Sequence, residues 1–298
     1  ISHCAPIGID VFAAGTTVGT IRCNVISETT ERSIAVRENA VVGDVTGNVT
    51  TNCGWSGVQV CDGAVVERVT ANTITGIGYG VVVERSARVD HLNRNSVSQA
   101  PWQAFWIRAA VGELAQNTIT ESRSGVIISP GALVGQVDGN HISTCSAEAI
   151  KLEGGAQLGS ADGNVISACP AGGIYIVGAG TTAGPITGNT VSEGAYGIWV
   201  HDQAQAGVVA GNDVANCTWA AVCICAQALA GDVRGNTSSA CQYGVAVAGD
   251  AQVQGINGNQ ISDSSIDGVF VCRAEVGSVA NNTILDNARM GVLAANGA

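Results

Sequence analysis

Lysine occurs once in these 298 residues, at Lys151, and Glu153 follows it two positions on. Residues two apart on a strand point to the same side, so ammonium and carboxylate share a face. Once the repeats described below are aligned, Tyr175 falls one repeat further on, with Arg108 and His201 two repeats to either side of Lys151. That combination suits removal of a proton from carbon. Lys151 or Tyr175 would be the base, with Glu153 beside them, and Arg108 or His201 would stabilise the enolate. It is the chemistry of a polysaccharide lyase or an epimerase. A glycoside hydrolase needs two carboxylates roughly 5–10 Å apart. Glu153 and Glu84 would stand about 14 Å apart, and Glu153 and Asp202 about 10 Å, at the usual strand spacing. Hydrolysis is therefore the weaker expectation. Surface ion pairing, Lys151 with Glu153 among the pairs, is the plain alternative to any chemistry.

Aromatic residues make up only 4% of the chain, yet they gather in two neighbouring columns. Trp106, Tyr175 and Trp199 share the column of Lys151, and Trp55, Tyr79, Trp102, Tyr196, Trp219 and Tyr243 each fall seven residues after a recurring asparagine. Flat rings with polar tips suit sugar stacking. Trp106, Trp199, Trp102, Tyr196 and Trp219, with Asp202, form the expected substrate-binding set. Stacked rings also give cross-strand packing, and both readings stay open.

These columns exist because the chain repeats. Asparagine recurs at Asn24, Asn48, Asn72, Asn95, Asn117, Asn140, Asn164, Asn189, Asn212, Asn236, Asn259 and Asn282, spaced 22–25 residues apart and often preceded by glycine. Downstream of the asparagine comes a short β-forming segment such as Ile142-Ser143, Val165-Ile166-Ser167 or Ile261-Ser262, and then a small residue opens an alternating strand, as in Gly80-Val-Val-Val, Gly197-Ile-Trp-Val and Gly268-Val-Phe-Val. Three short strands per period, cut by Gly and Asn turns, describe one coil of a parallel β-helix. The asparagine is expected to occupy the left-handed backbone region and to bond through its amide from coil to coil. About twelve coils at strand spacing would make a rod roughly 60 Å long. In the Gly-Val-x-Val strand the first and third residues after the small one point inward. The second is expected to point outward, giving a column that includes Ala35, Gln59, Val82, Trp106, Ile127, Lys151, Tyr175, Trp199, Cys223, Ala246 and Phe270.

The composition agrees with a sheet protein. Glycine numbers 40, and the 46% hydrophobic share is mostly Val, Ile and Ala, residues that favour strands or small cores over long helices. No apolar run approaches the roughly 18 residues a membrane helix needs, so membrane insertion is not expected. A net charge of −11 speaks against a nucleic-acid partner, which calls for a basic face. The same charge resists an anionic polymer unless a cation bridges. Ca2+ could do so, but no motif marks a site, and the reading assigns neither cofactor nor metal.

The Gly-Asn-x-[Ile/Val]-[Ser/Thr] repeat resembles the pectin-lyase-like, right-handed parallel β-helix superfamily over essentially the whole chain, a pattern seen in carbohydrate-active and copper-associated proteins. The resemblance implies an all-β, right-handed solenoid of twelve or so coils, one domain over residues 1–298, extracellular or at the cell surface and meeting a polysaccharide. Signatures of particular members are absent: Asn-Thr-Asp, Asp-Asp and Gly-His-Gly of polygalacturonases, and Asp-Pro-His of mannuronan epimerases. The second reading is a non-catalytic rod, an adhesin, stalk or filament module. The coil pattern runs to both ends without a capping segment, which reads as a segment of a longer protein and invites homotypic stacking or a trimer.

Eleven cysteines, an odd number, leave at least one thiol unpaired within the chain. Cys4, Cys53, Cys145, Cys169, Cys217 and Cys241 share one column. In-register strands aim their Cβ vectors in parallel, so a buried thiol stack is favoured over disulfides. Cys223 and Cys225 share the outward face with His201 and Asp202. Soft metals prefer thiolate, but this spacing is not a Cys-x-x-Cys knuckle, so the sequence assigns no metal there.

Overall fold

Each period closes into a coil because β-branched segments alternate, and residues tolerant of left-handed backbone cut them at fixed points. Around residue 80 the three strands are Val65–Thr70, Thr73–Thr75 and Tyr79–Val83. A computed structural model describes residues 1–298 as strands and turns with no helix. Two compact units are distinguished, Ile1–Ser146 and Ala147–Ala298.

In the first unit, one sheet runs from Ile7–Val11 to Ser124–Ile128, a second from Thr17–Arg22 to Leu133–Asp138, and a third from Val25–Ser27 to His141–Ser143. In the second unit, the first sheet runs from Glu148–Glu153 to Met290–Ala295, the second from Gln157–Asp162 to Val279–Ala280, and the third from Val165–Ser167 to Thr283–Leu285. Pairing is parallel and in register, each residue facing its equivalent one period away: Val81 faces Val58 and Phe105, and Ile198 faces Ile174 and Val222. Pro185, which lacks an N–H, splits one second-sheet strand into Thr182–Ala183 and Ile186–Thr187.

The inward residues are Val, Ile, Leu and Ala throughout, with Phe105 the largest fully buried side chain. Truncating such an Ile or Leu to Ala costs about 2–5 kcal/mol. The small residue that opens each first-sheet strand has a steric cause. A Cβ on Gly197 would meet Val214 and the backbone carbonyl of Ala221 in the following coil.

The asparagines form a ladder inside each unit. Asn72 donates its backbone N–H and its amide to Asn95 Oδ1 (3.1 and 2.9 Å), and the same amide reaches the Val45 carbonyl at 2.9 Å. In the second unit, Asn189 and Asn212 repeat the arrangement. The expected reason for asparagine is corrected in one respect. The left-handed residue is the one before it: Gly47, Ala71, Arg94, Gln116 and Gly139 in the first unit, and Gly163, Gly188, Gly211, Gly235 and Gly258 in the second, have positive φ, whereas the ladder asparagines do not. The preceding residue, glycine in most coils, supplies the turn and asparagine supplies the bonds.

All eleven cysteines are free thiols. Column members bond mostly to their own strand, as Cys53 donates to the Thr51 carbonyl and Cys169 to the Ser167 carbonyl, but Cys217 also donates its backbone N–H to Cys241 Sγ in the next coil at 3.4 Å.

Candidate functional site

The outward column of the first sheet divides in a way that alternation alone does not anticipate. Ala35, Gln59, Val82, Ile127, Tyr175, Cys223 and Ala246 are buried, although they point away from the coil interior. In the second unit the cause is visible. Tyr196, Trp199, Tyr243 and Phe270 fold over the sheet and pack against a floor of Ala220, Cys223 and Ala246. The column is thus the base of a second apolar layer, with the rings as its cover.

Those rings make a continuous ladder in the second unit. Tyr196 stacks on Trp199 at 4.3 Å and 10°; Trp219 tilts against Tyr196 at 5.3 Å, Tyr243 against Trp219 at 5.2 Å, and Phe270 against Tyr243 at 5.2 Å. Tyr175 meets Tyr196 and Trp199 edge-on. The His201 ring lies flat on Trp199 at 3.8 Å, and its Nδ1 sits 3.0 Å from Asp202 Oδ2. Trp219 is the ladder ring most open to solvent, 37% exposed.

In the first unit the cluster is shorter: Trp55, Trp102 and Trp106 surround Tyr79 at 5.3, 4.9 and 4.9 Å. Trp106 Nε1 donates to Ser129 Oγ at 3.0 Å, and Arg108 lies over the Trp106 ring at 4.9 Å. Trp102 stays 40% exposed. The expected binding residues therefore stand in two groups, Trp102 and Trp106 in the first unit and Tyr196, Trp199, Trp219 and Asp202 in the second. Tyr243 and Phe270 complete the second ladder. Their column positions announced them, but sequence reasoning left them out of the binding set.

Of the expected catalytic residues, Tyr175 is the one the fold takes furthest from solvent. Its side chain is buried, at 6% exposure, and its hydroxyl donates to the Ala171 carbonyl. Burial, reinforced by neighbouring Tyr196 and Glu148, pushes its pKa well above the ordinary value, so it cannot serve as a base near neutrality. Tyr175 faces Lys151 in register. Lys151 Nζ is held 2.9 Å from Glu153 Oε2 and 3.9 Å from Glu148 Oε1. Arg108 belongs to the first unit, bonded to the buried carboxylate of Glu84 at 3.4 Å. Burial lowers the pKa of His201, with Asp202 opposing, which favours the neutral ring.

Two cysteines join this surface. Cys223 faces Trp199 on one side and Ala246 on the other, and Cys225 accepts a hydrogen bond from Trp199 Nε1 at 3.2 Å. The Cys223 thiol bonds the Cys225 sulfur. That bond, helped by the indole N–H and opposed by burial, brings Cys225 down to about 7 and raises Cys223.

One feature of the first unit escaped the sequence reading. A polar cleft of about 580 Å³ is lined by Thr46, Arg68, His91, Asn93, Arg94, Glu113 and Gln116. Glu113 accepts from Asn93 and pairs with His91 Nδ1, both at 2.9 Å, and these bonds lower its pKa. Its signal lay in the second-sheet register, where Asp44, Arg68, His91 and Glu113 follow one another in adjacent strands.

Residues 62–219 match the family model described as right-handed beta helix region, and residues 153–298 match the one described as periplasmic copper-binding protein (NosD). No curated protein and no solved structure matches the chain.

Proposed function

The chain belongs to the right-handed β-helix family, and from that premise we propose that it is an exported module that holds a polysaccharide against the aromatic ladder of its second unit without cleaving it. The observation carrying this reading is the ladder itself. Tyr196, Trp199, Trp219 and Tyr243 offer partly exposed rings, flanked by the polar groups of Lys151, Glu153, His201 and Asp202. Apolar ring faces beside hydrogen-bonding edges are what a pyranose needs, its C–H face on the ring and its hydroxyls on the rim. Binding without turnover follows from the engagement of the would-be bases, Lys151 within carboxylates and Tyr175 on a backbone carbonyl. A location outside the cytoplasm, extracellular or at the cell surface, is favoured by the partial match to a family described as periplasmic.

A panel of acidic and neutral polysaccharides tests the reading. Binding is expected for at least one polymer, weakened by Trp219→Ala, with no ultraviolet-absorbing unsaturated product on prolonged incubation. Unsaturated product would restore the lyase reading. No binding across the panel would leave the non-catalytic rod.

The partial match also raises copper as a ligand. No three His, Cys, Asp or Glu side chains converge in this structure. A multidentate Cu(II) site of nitrogen and oxygen donors therefore does not fit.

A further inference from the structure

Resting on the glycan reading above and naming its substrate class, we propose that the second-unit ladder receives a polycation, an oligomer of 2-amino-2-deoxy sugars bound through its ammonium groups. Charge is unevenly distributed along the chain. Residues 147–298 hold twelve acidic and four basic side chains, a net of −8, whereas residues 1–146 hold twelve and nine, a net of −3. A cationic polymer is drawn to the second unit, and a uronate polymer is repelled.

The rim of the ladder has the same sign. Glu153 and Glu148 flank the ammonium of Lys151 at 2.9 and 3.9 Å, two carboxylates to one cation. Burial favours the neutral ring of His201, so the charge of Asp202 beside it is not cancelled. Negative charge is thus in excess next to the rings.

The rings themselves differ between the units. Arg32 lies over Trp55 at 5.1 Å, Arg37 over Phe12 at 4.6 Å and Arg108 over Trp106 at 4.9 Å, all in the first unit. No Lys or Arg lies over a ring of the second ladder, where Trp219 keeps 37% exposure. The negative face of an indole attracts an ammonium group, and here that place is open to a cation from outside. An amino sugar meets both demands with one rigid ring, its C–H face on the aromatic and its ammonium toward the carboxylates. A lysine-rich peptide would have to immobilise a flexible stem for each charge, at a cost in side-chain entropy. In register, Phe270 stands five strand spacings from Lys151, about 24 Å, which suits several sugar units rather than one.

The test is calorimetry of the full chain at a pH where the amines are protonated, with glucosamine, N-acetylglucosamine and galacturonate oligomers of equal length. The glucosamine oligomer is expected to bind about tenfold more tightly than its N-acetylated counterpart, and the galacturonate oligomer most weakly. That margin should shrink in about 1 M salt, where the screening length is about 3 Å. Glu153→Gln with Asp202→Asn should narrow it roughly threefold. Trp219→Ala should weaken the glucosamine oligomer itself, with the β-sheet circular dichroism signal verifying the fold of each variant. An N-acetylated or galacturonate oligomer that binds as tightly as the glucosamine oligomer would overturn the proposal and sustain the glycan reading. So would polylysine binding more tightly than the glucosamine oligomer, provided the N-acetylated oligomer still binds. A margin that survives Glu153→Gln with Asp202→Asn, or a glucosamine affinity indifferent to Trp219→Ala, would also overturn the proposal. No binding of any of the three sugars would overturn both readings together.

Discussion

Two ladders run through the second unit, and they differ in kind. The asparagine ladder is internal, present in every coil, and saturates its donors: Asn212 accepts from Asn189 and donates to Asn236 and to the Ile186 carbonyl. The aromatic ladder is external and irregular, with interplanar angles from 10° between Tyr196 and Trp199 to 52° between Trp219 and Tyr243. A buried polar group must be satisfied or it costs stability, so the inner ladder tolerates no variation. A half-exposed ring can tilt at little cost. The outer ladder is therefore where surface area and polar rims are free to answer to a ligand.

The largest expected effect strikes the inner ladder. Asn212→Ala removes the acceptor of the Asn189 backbone N–H and amide and strands the Ile186 carbonyl, and should cost about 4 kcal/mol at 1–3 kcal/mol per orphaned group. Urea denaturation measures it, and a cost below 1 kcal/mol would break the contrast. Trp199→Ala uncovers the floor over Cys223 but leaves the coil intact, and should cost about 2 kcal/mol, below the range for a fully buried tryptophan. Gly211→Ala, at φ +64° with open space around it, should cost about 1 kcal/mol through backbone strain alone.

The smallest effect lies in the first unit. Glu113 has its pKa lowered by Asn93 and His91, so its contribution is present above the ordinary carboxylate pKa and fades as pH falls through the depressed folded value. Glu113→Gln should flatten the acid limb of stability below about pH 4, by a few tenths of a kcal/mol given its solvent exposure. An unchanged pH profile of the melting temperature would remove Glu113 as its source.

The inner ladder was legible in the sequence because one asparagine per period fixes period, strand count and register together. The outer surface was legible only as columns. Alternation tells which way Val82, Tyr175 and Cys223 point, but not that neighbouring rings would fold over and bury them. The left-handed turn residue was misplaced by one position because Gly and Asn both favour turns, and only their bonds separate the roles. The Glu113 cleft is not legible from spacing alone, because Arg68 and His91 come together only once the second-sheet strands stand in register. The thiol pair was visible at Cys223 and Cys225, while the indole that closes over it became evident only from the fold.

We propose the second ladder as the surface that receives a polysaccharide. Calorimetry with a polymer that binds wild type, repeated with Trp219→Ala, tests it most directly. Trp219 is the most exposed ring of that ladder, so its loss should weaken binding about tenfold, equivalent to about 1.4 kcal/mol, with little change in stability. Equal affinity of the two proteins would contradict the claim and leave the ladder as packing alone.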